Sequence, residues 1–160
     1  MGFFDKLKSA ANFITGGGAV VNVATENQIS DGREPVKIFV QVQIKENDVE
    51  IRNCYVKVRA IETVWARDID AYVERDGDYV QIEEEVTNTV TTYETELMAA
   101  GATTLEANET FEFEVELQVP ADVPGTYRGE NAEHVWQIYA GLDVPGNDPD
   151  SNWVTIEISK

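Results

Sequence analysis

The chain holds 160 residues, 42% hydrophobic and 26% charged, with a formal net charge of −18 at pH 7. That balance describes one globular domain rather than a disordered chain, and no apolar run approaches the ~20 residues of a membrane-spanning helix. Only 12 Lys and Arg stand against 30 Asp and Glu, which excludes a phosphate-gripping nucleic-acid surface and disfavours flat adsorption to anionic lipid. The acidity fits either a basic partner or a high-salt setting, where repulsion between carboxylates is screened.

In chain order, residues 2–14 read as an amphipathic helix. Phe3, Leu7, Ala10, Ala11 and Ile14 fall on one helical face, which Phe4 widens. Gly16-Gly17-Gly18 then forms a joint, dividing a helical segment (1–18) from a β domain (19–160). The face Phe3, Phe4, Leu7, Ala11 and Ile14 is a candidate membrane- or partner-binding surface. Residues 1–6 lack the basic-then-apolar layout of a secretory signal, so a cytoplasmic location is expected.

From residue 19 the pattern is strand. Val36, Ile38, Val40, Val42 and Ile44 alternate with polar residues, as do Cys54, Val56, Val58 and Ala60, and later Val154, Ile156 and Ile158. Asp76-Gly77 is a two-residue hairpin signal joining strands near 69–73 and 79–80, and Asp76, Gly77 and Asp78 form a candidate interaction hairpin. Residues 82–97 place Ile82, Val86, Val90, Tyr93 and Leu97 at helical spacing. They are nevertheless rich in Thr and Val, which predicts a strand with a bulge or bend.

Chemistry finds little support. His134 is the single histidine, expected at the surface or a strand edge; one histidine excludes multi-histidine metal sites, and no nucleophile beside it supports a role as general base. Cys54 is the single cysteine and reads as a small core residue. The acidic loop 143–152 is rich in oxygen ligands but lacks EF-hand spacing. Glu83-Glu84-Glu85 and the polar positions Glu112, Glu114 and Glu116 read as solvated faces. No catalytic, cofactor-binding or metal-binding residues are expected, and the chain is not expected to be an enzyme.

Residues 105–158 carry a more specific pattern. Phe111 to Val119 alternate strictly, Pro120, Pro124, Gly125, Thr126, Tyr127 and Gly129 make a turn, and a second strand follows with Val135, Trp136, Ile138 and Tyr139. This block resembles the end of an arrestin-type domain, and the likeness is nearest to the bacterial and archaeal sporulation-control proteins, which also begin with a short Phe-Phe segment. The resemblance implies an all-β, two-sheet antiparallel sandwich of immunoglobulin-like or arrestin type, preceded by the one short helix. It implies a non-catalytic protein-binding adaptor or regulatory scaffold, whose protein partner it does not identify and whose homo-oligomerisation stays open. Two alternatives remain: a peripheral membrane protein tethered by residues 2–14, and a stress-related or carbohydrate-binding sandwich using Phe39, Tyr55, Trp65 and Tyr139.

Overall fold

The computed structural model describes residues 15–16, 18–27 and 29–160, without the side chains of residues 15, 16 and 68–71. The expected helix over 2–14, with Phe3, Phe4, Leu7, Ala11 and Ile14, lies outside the described residues. Every regular element among the described residues is a strand.

One sheet contains β1 (Thr15–Gly16), β2 (Ala19–Thr25), β4 (Val36–Ile44) and β9 (Thr110–Leu117), in the order β1-β2-β4-β9. Gly16, expected within the joint, pairs with Ala19 in the β1–β2 ladder. The second sheet runs β3 (Ile29–Ser30), β12 (Val154–Ile158), β11 (Ala132–Asp143), β6 (Asn53–Arg75) and β7 (Asp78–Ala100), and β10 (Tyr127–Arg128) also pairs with β11. A third ladder of β5 (Val49–Ile51) and β8 (Thr103–Leu105) lies near one end. The ladders are antiparallel except β12 with β3.

Alternation decides what is buried. Val36, Ile38, Val40, Val42 and Ile44 on β4 face Cys54, Val56, Val58 and Ala60 on β6, with Trp136, Ile138, Ala140 and Leu142 on β11 completing the inner layer. Each fully buried Val, Leu or Ile contributes about 1.5–3 kcal/mol against leaving it in water. Cys54 is fully buried, as expected.

The turn after β9 is fixed from below by this core. The indole Nε1 of Trp136 donates to the Pro124 carbonyl at 2.9 Å, and the Thr126 amide donates to the Ile158 carbonyl at 2.6 Å. The Ile158 amide returns a hydrogen bond to Thr126 Oγ1 at 3.0 Å. His134 is no surface residue: it is fully buried. Its Nδ1 lies 2.9 Å from the Gly125 carbonyl and its Nε2 2.7 Å from Thr92 Oγ1. The proline-glycine turn folds over the end of the sandwich, so the histidine two residues before Trp136 is enclosed.

Candidate functional site

The feature that departs from a plain sandwich is the β6–β7 hairpin. Each strand is 23 residues long, while β11 pairs with β6 only as far as Ala132 opposite Val64. The last support is the Trp65 amide, which donates to the Asn131 carbonyl at 2.8 Å. From residue 66 onward the hairpin is a bare two-stranded ribbon, and ten residues of strand carry it about 30 Å beyond the body.

The tip is built as the sequence predicts. Asp76 (φ 54°) and Gly77 (φ 89°) both take positive φ between the paired residues Arg75 and Asp78, the geometry of a two-residue turn whose twist matches its strands. The ribbon presents apolar and aromatic side chains to solvent, with Tyr72 60% and Tyr79 76% exposed. Tyr72 pairs with Gln81 and Glu74 with Tyr79, so both rings share one face, while Val73 and Val80 pair on the other.

Three register shifts divide the β6–β7 hairpin. At one, Ala60 pairs with Tyr93 and Ile61 with Thr91, leaving Thr92 as the extra residue. The bulge turns the Thr92 hydroxyl inward, where it reaches the Ala60 carbonyl at 3.2 Å and His134 Nε2. Beside it, Tyr127 donates to Glu62 at 2.5 Å, and this bond to a carboxylate raises the Tyr127 hydroxyl above its usual range, burial adding to it. Tyr127 also stacks on the His134 ring with centroids 5.8 Å apart.

Of the candidate sugar-stacking aromatics only Tyr55 and Tyr139 come together. Phe39 belongs to β4 in one sheet, while Tyr55, Trp65 and Tyr139 belong to the other, with Trp65 at the root of the ribbon. Tyr55 and Tyr139 stack at 6.3 Å, Tyr139 meets Trp153 at 5.2 Å, and the Arg59 guanidinium lies 3.8 Å over the Trp153 ring. Arg59 thus occupies one face of the Trp153 indole beside the Tyr55–Tyr139 pair. Burial raises the Tyr139 hydroxyl strongly, and its hydrogen bond to Asp150 adds to this.

In the 143–152 loop the carboxylates are engaged by the chain itself. Asp148 Oδ1 accepts from the Val144 amide at 3.1 Å, Asp150 Oδ1 from the Asn152 amide at 2.9 Å, and Asp143 meets Arg52 at 3.4 Å. Among the described residues no three His, Cys, Asp or Glu side chains gather to hold a metal ion. Burial pushes the Cys54 thiol up to about 12. Glu112, Glu114 and Glu116 are exposed on β9, as their alternation predicts.

Two sheets, antiparallel but for the β12–β3 pair, with the clamped proline-glycine turn and the Trp136 strand, define an arrestin-like β-sandwich. The solved structure of Spo0M, the sporulation control protein of Bacillus subtilis, has this fold and matches the chain at a TM-score of 0.60 with 19% sequence identity. The match covers 90% of this chain and 50% of that one, so the chain spans about half of Spo0M's length. No family model and no curated protein matches the sequence. Among the described residues no helix is long and apolar enough to cross a membrane.

Proposed function

We propose that the chain is a non-catalytic protein-binding adaptor or regulatory scaffold of arrestin-like type, working in the cytoplasm and recognising its partner through the β6–β7 hairpin. One observation carries this reading: a ribbon of two strands leaves the body with Tyr72, Tyr79, Val73 and Val80 exposed. An isolated two-stranded hairpin is marginal in water, and exposed aromatic side chains on a projecting element suit protein recognition. The regulatory role follows the fold likeness to a sporulation control protein.

Affinity capture from native lysate tests it, comparing the natural chain with Gly77→Val. Valine at φ 89° is strained, so the variant disrupts the tip while the core strands keep their contacts. Loss of captured partner with an unchanged melting temperature supports the reading. Equal capture by both proteins removes the tip from it. A membrane tether is the second reading, favoured by charge: Lys6 and Lys8 against Asp5 give residues 1–18 a net +1, so residues 19–160 hold −19 of the total −18. Liposome binding abolished by Leu7→Glu would support that tether.

A further inference from the structure

Strand β7 is the last strand of its sheet, and among the described residues it pairs with β6 alone. Every second residue of such a strand directs its N–H and C=O away from the sheet. Edge strands are ordinarily blunted by charged side chains, Pro, bulges or brevity. Of these β7 has Glu83, Glu84 and Glu85 and the Thr92 bulge, which leave residues 86–91 between them with no charge, Pro or register shift. From Asp78 to Ala100 β7 contains no Lys, Arg, Pro or Gly. Its register with β6 is unbroken from Glu84 opposite Asp68 to Thr91 opposite Ile61, a regular run of eight residues where the ribbon leaves the body.

Composition along this edge is zoned. Residues 86–93 read Val-Thr-Asn-Thr-Val-Thr-Thr-Tyr and carry no charge, between Glu83, Glu84 and Glu85 on one side and Glu94 and Glu96 on the other. Of the cations across the ladder, Arg59 lies over Trp153 and donates to Gln137 at 2.9 Å, and Lys57 stands 5.5 Å from the centroid of the Tyr55 ring. Arg67 pairs with Glu83 at 4.0 Å, a contact between two largely exposed side chains that water weakens. Val86 and Val90, each about half exposed, share the face that continues the core layer beyond the opposing sheet.

We infer that the outer edge of β7 over residues 84–91 takes up an extended strand of a partner protein, with alternating apolar residues at its centre and Lys or Arg on both flanks. This rests on the adaptor reading and assigns its recognition edge. The partner's backbone would complete the ladder, its apolar side chains would extend the Val86–Val90 stripe, and its flanking cations would meet the two acidic zones. A second copy of the chain fits less well. Antiparallel two-fold pairing centred on residues 86–93 sets Glu85 opposite Glu94 and Glu83 opposite Glu96, and like charges directly opposed are destabilising.

The test uses the full chain and labelled synthetic peptides with a central Val-Thr-Val-Thr-Val. One carries two Lys on each flank, a second two Glu on each flank, and a third has the Lys flanks but alternate backbone nitrogens methylated. Anisotropy titration gives affinity, and amide hydrogen exchange gives the site. The inference expects the Lys-flanked peptide to bind on the order of tenfold tighter than the Glu-flanked one and to slow exchange within 84–91. It expects methylation to abolish binding and the joint change Glu83→Gln, Glu84→Gln and Glu85→Gln to shrink the ratio. Equal binding of the methylated peptide, or protection elsewhere, overturns it. So does self-association that protects 84–91 without peptide. Tip-dependent capture from lysate without peptide protection at 84–91 sinks this edge alone and leaves the adaptor reading standing. Protection at 84–91 without tip-dependent capture keeps the edge and removes the tip.

Discussion

Gly125 and Gly141 both occupy places where a Cβ has no room, but their neighbours differ in kind. A Cβ at Gly125 would stand 2.5 Å from the Ile158 carbonyl oxygen, which is strand backbone and cannot retreat. At Gly141 it would stand 2.5 Å from the Tyr55 hydroxyl, the far end of a half-buried ring that can swing outward. Gly125→Ala is therefore expected to cost about 1–3 kcal/mol and Gly141→Ala less, with the order read from denaturant midpoints. Cys54 gives a second residue-scale prediction through linkage. Its thiol is held up to about 12 by burial, against 9.0 when unburied, so the folded state binds the proton more tightly than the unfolded state. This stability is complete below pH 9 and drains away as pH rises toward 12, at up to about 1.4 kcal/mol per pH unit. The raised Tyr55 and Tyr139 hydroxyls act in the same direction. Chemical denaturation between pH 8 and 11 should show this loss, and Cys54→Ala should flatten it.

Among the elements, β4, β9 and the middle of β11 were legible because each keeps one unbroken alternation with a single buried face. Strand β7 was harder for a physical reason. On it Val86 and Val90 lie on the same face as Tyr93 and Leu97, although their parities differ, because the extra residue Thr92 shifts the phase by one. A bulge inside a strand thus mimics helical spacing, and the Thr and Val content was the evidence that resolved the element correctly. The full length of the hairpin was not legible, since among the described side chains of β6 from Ala66 to the tip none is buried on either face and alternation has nothing to record. The burial of His134 was also missed. Its partners, Gly125 and Thr92, come from a distant turn and from a bulge, neither of which local pattern locates. Thr92→Val keeps the side-chain shape and removes the hydroxyl beside Nε2. It should cost about 1–3 kcal/mol, and a double-mutant cycle with His134→Leu should show that the two changes are not additive.

At the scale of the whole molecule, charge and shape are the measurable consequences. With a net charge of −18, the compact state is opposed by its own repulsion, and added salt screens that repulsion. The melting temperature is expected to rise as sodium chloride goes from about 0.01 M to about 1 M, where the Debye length shrinks from about 30 Å to about 3 Å. A flat response would mean that the surface carboxylates are too well dispersed for their mutual repulsion to matter.

The long ribbon also sets how the molecule scatters and sediments. A compact chain of this length has a radius of gyration of about 15 Å, whereas a strand of 23 residues spans about 70 Å even before its turn is added. The protein should therefore travel through solution as a head with a handle. Its X-ray scattering should give a distance distribution with one main peak and a long shallow tail, and its frictional ratio should exceed that of a sphere of equal mass. Any partner that folds the handle against the head, or sheathes it, would change that tail before it changed the mass appreciably.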